Sequence, residues 1–273
     1  ILNDGGHIYA GGPITLQTPQ INNAGGALSV ASMAVTGPNF SNAGGTLNVS
    51  QSFGANVGTF DNTGGKLNAG SLNISTSGDL INTDGTLTST SDANLTVGGK
   101  VENTRGTISA TGALTANVVG ATINNSGALV SNQALTLKAD SLENTSGNIQ
   151  SAQAGVQLGV INALTNGSGG SINAFTDLNM QAGSLSNSAS MRGGNDANIT
   201  VGGALTNGGS VTAGRNTTIT AGSVQSGTSS VLGAGVQSDG KLGGVGDLRV
   251  TSPGALVANG TNLPAGNATL QGA

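Results

Sequence analysis

The sequence predicts an all-β protein, a parallel β-helix with coils of about 20 residues. Three observations predict it. A unit of the form apolar–x–Asn–x–x–Gly–x–apolar recurs at near-constant spacing, and a second short strand, apolar–x–apolar, recurs between its copies. The composition agrees: 48 glycines supply corners, while 5 prolines, 5 Phe and Tyr residues together and no tryptophan suit a narrow interior built from small strands.

The first element is the Asn unit. It stands at Ile1–Asn3–Gly6–Ile8, Ile21–Asn23–Gly26–Leu28, Phe40–Asn42–Gly45–Leu47 and Phe60–Asn62–Gly65–Leu67. It continues at Leu80–Asn82–Gly85–Leu87, Val101–Asn103–Gly106–Ile108 and Leu142–Asn144–Gly147–Ile149. Copies one residue longer or shorter read Ile123–Asn125–Leu129, Leu164–Asn166–Ile172, Leu185–Asn187–Met191 and Leu205–Asn207–Val211, and Val224–Ser226–Val231 is a degenerate last copy. Eleven steps from Asn3 to Ser226 give a period of about 20 residues, the range of solenoid repeats.

The second element is the alternating strand, as in Ile14–Leu16, Leu72–Ile74, Leu95–Val97, Leu135–Leu137, Val156–Leu158, Leu178–Met180 and Ile199–Val201. Two distant copies are nearly the same text, Asp92-Ala-Asn-Leu-Thr-Val-Gly-Gly99 and Asp196-Ala-Asn-Ile-Thr-Val-Gly-Gly203. Alternation with period two marks half-buried strands, and no segment sustains an apolar face of helical period.

Short strands at this period describe a coil of about three strands joined by tight corners, stacked at ~4.8 Å. About 13 such coils fit the chain. Leu, Ile, Val and Ala then stack on themselves. The recurrent Asn is expected to form a ladder of buried amides at one corner, with the Gly two or three residues later taking φ > 0 there. The expected ladder runs through Asn3, Asn23, Asn42, Asn62, Asn82, Asn103, Asn125, Asn144, Asn166, Asn187 and Asn207. Residues 1–231 are expected to form the regular helix. Over 232–273 the pattern falters: the strand step from Ile219 to Leu248 is 29 residues, VLGAGVQSDGKLGGVG lacks the Asn unit, and Pro253 and Pro264 are expected to break the ladder. That segment reads as an irregular continuation of the β-helix or as the start of another region.

The inventory for chemistry is thin. Eight Lys and Arg against 12 Asp and Glu leave a net charge of −4, and Arg105, Arg192 and Arg215 are scattered, so no nucleic-acid partner is expected. No stretch approaches the ~18 apolar residues of a membrane span. Cysteine is absent, so there is neither disulfide nor thiolate ligand. His7 is the one histidine and sits beside a corner. Asp61, Glu102 and Glu143 share the position before the ladder Asn, and Asp92 and Asp196 share another; both sets read as solvated charge that discourages sideways strand pairing. The Gly-Gly pairs 25–26, 44–45 and 64–65 lack the helix and Lys of a phosphate loop, and no calcium nonapeptide occurs. No catalytic, cofactor-binding or metal-binding residue is expected, and no cofactor. Tyr9, Phe53 and Phe175 are the candidates for exposed aromatic contacts. Triplets such as Asn48–Ser50, Asn94–Thr96 and Asn216–Thr218 are chance-level glycosylation acceptors.

Units such as Phe60-Asp-Asn-Thr-Gly-Gly-Lys-Leu-Asn68 and Leu142-Glu-Asn-Thr-Ser-Gly-Asn-Ile149 resemble filamentous haemagglutinin repeats over about residues 1–231. Such repeats occur in the large exoproteins of bacterial two-partner secretion, in haemagglutinin-type adhesins and contact-dependent growth-inhibition effectors alike. The resemblance implies a right-handed parallel β-helix, an outer-membrane β-barrel transporter as partner during export, and display at the bacterial cell surface, associated with the outer membrane. The function it implies is a rigid shaft that projects an adhesive or toxic domain. The alternative is an adhesin whose own faces bind a receptor on a host cell or a neighbouring bacterium, and a remote one is a β-helical polysaccharide-degrading enzyme. Ile1 begins inside a repeat, so the chain reads as an internal piece, and open coil ends are expected to invite end-to-end self-association.

Overall fold

A computed structural model describes residues 2–273; Ile1, the first apolar position of the first repeat, lies outside them. Every regular element among the described residues is a strand, and the strands pair in parallel into a β-solenoid with coils of about 20 residues. The chain divides into two compact units, residues 1–133 with 137–139, and residues 134–136 with 140–273.

In the first unit each coil runs along three faces, as separate strands or as one strand that turns a corner, as in Thr46–Asp61, and the register stacks like on like. One interior column runs Ile8, Leu28, Leu47, Leu67, Leu87, Ile108 and Leu129. A second runs Leu16, Val35, Ala55, Ile74, Leu95 and Ala116. The third, next to the ladder corner, runs Ile21, Phe40, Phe60, Leu80, Val101 and Thr122. Leu47, Leu67, Leu87 and Ile108 are fully buried, and their neighbours in sequence point out, which is why two-residue alternation was the signal. Phe53 is not an exposed aromatic but a core residue, 1% exposed. It packs with Phe40 and Phe60, its ring centroid 6.0 Å from each, and those two lie 4.9 Å apart. It sits at the inward position of its strand, paired with Met33 and Leu72.

The second unit repeats the arrangement. Ile149, Ile172, Met191, Val211 and Leu232 form one column, Leu158, Met180, Ile199, Ile219 and Val250 another. Leu142, Leu164, Leu185, Leu205, Val224 and Leu256 form the third. The 29-residue step has a local cause. After Val231–Ala234 the chain leaves the coil, makes an antiparallel bridge between Val236 and Leu242, and returns at Leu248–Thr251 in register with Thr217–Thr220. Pro264 does not break the pairing: as the last residue of Thr261–Pro264 it lies opposite Ala234, and the next residue, Ala265, donates to the Ala234 carbonyl at 3.0 Å.

Candidate functional site

The feature that recurs in every regular coil is the Asn corner. Asn62 illustrates its geometry. Its Nδ2 donates to Asn82 Oδ1 at 2.7 Å, to the Gly65 carbonyl at 3.2 Å and to the Thr86 carbonyl at 3.2 Å, while its Oδ1 accepts from Asn42 Nδ2 at 2.8 Å. Every polar atom of a side chain with no exposed surface is therefore paired. In the first unit the chain of amides runs Asn3, Asn23, Asn42, Asn62, Asn82, Asn103 and Asn124, with Nδ2–Oδ1 distances of 2.6 to 2.8 Å. In the second it runs Asn144, Asn166, Asn187 and Asn207 at 2.8 to 2.9 Å, and Asn207 Nδ2 donates to Ser226 Oγ at 3.3 Å.

One expected ladder member is displaced. Asn124, fully buried, occupies the corner, and Asn125 is half-buried beside it. The pairing Val101↔Thr122 and the Gly127 N–H donating to the Asn124 carbonyl put this coil in the ordinary unit, with Thr122 in the apolar place. Aligning on Ile123 as the apolar residue moves the whole unit by one, and Ile123 in fact lies opposite Glu102 on the outward side.

The two corner residues after the Asn have different jobs. The second after it carries the left-handed backbone: Gly5, Gly25, Gly44 and Gly64 at φ 61 to 62°, then Asp84, Arg105, Ser126 and Ser146 at φ 54 to 56°. The third after it, always Gly in these coils, is there for space. A Cβ on Gly65 would drive into the Asn42 carbonyl oxygen and stand 2.6 Å from Asn62 Oδ1. A side chain there would part the ladder from its own strand.

A second ladder, at another corner of the second unit, was not foreseen. Asp177 Oδ1 accepts the Asp196 N–H at 3.2 Å, Asp196 Oδ1 the Asn216 N–H at 3.0 Å, Asn216 Oδ1 the Asp247 N–H at 3.0 Å, and Asp247 Oδ1 the Asn267 N–H at 2.7 Å. In the first unit Asp79 takes the Lys100 N–H and Asp92 the Ala113 N–H in the same manner. Its signal is visible in the sequence: an Asp or Asn immediately before the inward residue of the strand, as in Asp92-Ala and Asp196-Ala.

The charged residues are spent locally. Asp61 Oδ1 accepts from the N–H and hydroxyl of Thr63, and Glu102 accepts from Thr104 Oγ1 and Lys100 Nζ. Arg105 forks onto both oxygens of Asp84 at 2.7 Å, which holds that carboxyl below its ordinary range. Arg215 pairs with Asp196, and Arg192 Nη1 donates to the Val236 carbonyl, where partial burial lowers the guanidinium's pKa. His7 is exposed. Among the described residues no group of three or more His, Asp or Glu stands close enough to hold a metal ion. A concavity of about 460 Å³ crosses successive coils of the first unit; Tyr9, Ser29, Asn48, Asn68 and Thr90 line it, and none of its lining residues is charged. Tyr9 is 88% exposed; Phe175, 62% exposed, lies in the second unit.

Comparison with known proteins places these coils. The haemagglutinin repeat family matches residues 1–35 and 31–121. A 47-residue stretch, 17% of the chain, is 55% identical to "Toxin CdiA" of Yersinia pestis, and a 45-residue stretch, 16% of the chain, is 53% identical to "tRNA nuclease CdiA-2" of Burkholderia pseudomallei strain 1026b. The matched stretch is about 1% of the length of either relative. No solved structure matches the chain. Residues 1–121 thus match the haemagglutinin repeat, the same Asn unit continues in the coils beyond them, and the chain is similar over a short stretch to CdiA toxins.

Proposed function

We propose that this segment is a load-carrying spacer in a large bacterial exoprotein, a shaft that holds an adhesive or toxic domain away from the producing cell. The observation that supports it is the Asn corner repeated coil after coil with its amides paired along the column, a device that fixes stacking. On this reading the parent is secreted through an outer-membrane transporter and stands at the cell surface. The segment itself performs no catalysis.

A second reading, that the shaft face is itself adhesive, draws on the uncharged groove beside Tyr9. Two full-period deletions in the parent protein separate the readings. Removing Asn62 through Ile81 lets Asn82 stack on Asn42 and takes Asn68 out of the groove. Removing Asn187 through Thr206 lets Asn207 stack on Asn166 and leaves the groove intact. Nearest-neighbour energetics predicts that both shortened proteins fold and are exported. A spacer keeps cell attachment or toxin delivery in both. Loss of attachment in the first deletion alone would make the groove the adhesive surface, and loss in both would overturn the spacer.

A further inference from the structure

We propose that Asn259 is a site of spontaneous deamidation, and that the amide ladder shields the two other Asn-Gly sequences of the chain from the same reaction. Asn-Gly occurs at Asn166–Gly167, Asn207–Gly208 and Asn259–Gly260. The chemistry needs a carboxamide free to turn onto the nitrogen of the next residue, and glycine, lacking a Cβ, obstructs it least. The nitrogen of Gly260, after losing its proton to base, attacks Cγ of Asn259. The N–Cγ bond closes an imide ring, the Cγ–Nδ2 bond breaks, and the leaving nitrogen takes up a proton and departs as ammonia. Water then adds at either imide carbonyl and opens the ring to aspartate or to its β-linked isomer. One water is consumed, one ammonia is released, and the chain gains one negative charge.

The three sites differ in what holds the carboxamide. Asn259 is exposed, and its side chain makes no hydrogen bond to another described residue. Asn166 is 0% and Asn207 1% exposed. Asn166 Nδ2 donates to Asn187 Oδ1 at 2.8 Å and to the Ser190 carbonyl at 3.1 Å, and its Oδ1 accepts from Asn144 at 2.9 Å. Asn207 Oδ1 accepts from Asn187 Nδ2 at 2.8 Å, and the Gly208 nitrogen that would attack it is donating to the Asn187 carbonyl at 2.7 Å. Either ladder amide must leave three partners and admit water before its ring can close, so its reaction waits on opening of the coil. At Asn259 nothing comparable must break. Its β-linked product would add a methylene to the backbone between Leu256–Ala258 and Thr261–Pro264, disturbing the register of Thr261 opposite Val231.

The experiment is incubation of the intact chain at mildly alkaline pH and physiological temperature, with peptide mass spectrometry and enzymatic detection of the β-linked isomer at all three sites. Asn259 is expected to convert more than about tenfold faster than Asn166 or Asn207, the margin set by the free energy of coil opening. The same incubation in denaturant is expected to bring the three rates together. Asn187→Ala removes a partner of both ladder amides and is expected to raise their rates while leaving that of Asn259 unchanged. Equal rates at the three sites in the folded chain would overturn the proposal, as would a spread of rates that persists in denaturant. Should Asn187→Ala unfold the chain, the folded-against-denatured comparison in the unsubstituted protein still decides.

Discussion

Thr122 stands in the interior column where Ile21, Phe40, Phe60, Leu80 and Val101 stand in the coils before it, and its buried Oγ1 has no hydrogen-bond partner. A hydroxyl taken out of water and left unpaired costs about 1–3 kcal/mol. Thr122→Val keeps the shape and removes that cost, so it is expected to stabilise the protein by about 1–2 kcal/mol, read as a higher urea midpoint with an unchanged slope. A lower midpoint would mean that the hydroxyl does find a partner. The corner residues make a paired test. Gly64 has φ 61° and open space where a Cβ would go, whereas Gly65 has a backbone oxygen there. Gly64→Ala is therefore expected to cost about 1–2 kcal/mol through the left-handed backbone alone. Gly65→Ala should cost clearly more, because the neighbouring coil must move. Calorimetric midpoints of the two variants would check the order. At Asp84 and Arg105 the same left-handed position carries an ion pair instead. Asp84's pKa is lowered in the folded state, so the pair's contribution is present above the unfolded carboxylate pKa and lost as pH falls through the folded one. The pair is exposed, so Asp84→Asn should flatten the acid limb of thermal stability only slightly.

An Asn in the interior of a strand corner is tolerable only as one of a series. Each ladder amide satisfies its neighbour, so the unit of stability is the column and not the residue. Asn62→Leu leaves Asn42 without its acceptor and Asn82 without its donor, and is expected to cost about 1–3 kcal/mol in thermal or urea melts. The displaced position offers a sharper comparison: Asn124→Ala should cost as much as Asn62→Leu, and Asn125→Ala, half-buried and outside the ladder, clearly less. The reverse order would restore the one-residue shift that the sequence alone suggested. That shift shows what was legible. The period, the parallel stacking and the inward Asn follow from alternation and spacing, because a one-residue slip flips every side chain to the other face. The identity of the inward residue in a single coil does not, because Thr122 reads as polar and Ile123 as apolar while the ladder overrides both. Phe53 was misplaced for a like reason: read singly, an aromatic in a polar run looks like a surface contact, and only its register opposite Met33 and Leu72 puts it inside. The second, Asp and Asn ladder was written in the text but masked by chemistry, since its carboxylates accept backbone N–H groups and look like ordinary surface charge.

At the scale of the whole molecule, the coil-on-coil construction of each unit governs how the fold fails. Within each unit a coil's apolar residues are buried by the coils directly above and below, so free energy is a sum of coil and nearest-neighbour terms. A globular domain of similar size tends to unfold as one cooperative body, and a core substitution then lowers protection everywhere by the same amount. A solenoid should respond locally. Asn62 touches Asn42, Asn82, Gly65 and Thr86, so Asn62→Leu removes contacts confined to three successive coils. Native-state hydrogen exchange is the measurement suited to this. Amides of Thr46–Asp61, Lys66–Thr76 and Thr86–Ser89 are expected to lose protection by about 1–3 kcal/mol. Those of Thr107–Ala110 should lose less, and those of Ser171–Ala174 in the second unit should keep their values. The argument extends to deletions: excising a whole period leaves every remaining neighbour term intact, whereas excising half a period pairs inward with outward residues in the coils that meet at the junction. A uniform loss of protection from Asn62→Leu across both units would mean that the stack unfolds as one body. The tolerance of whole-period deletion, on which the spacer reading depends, would then have no energetic basis.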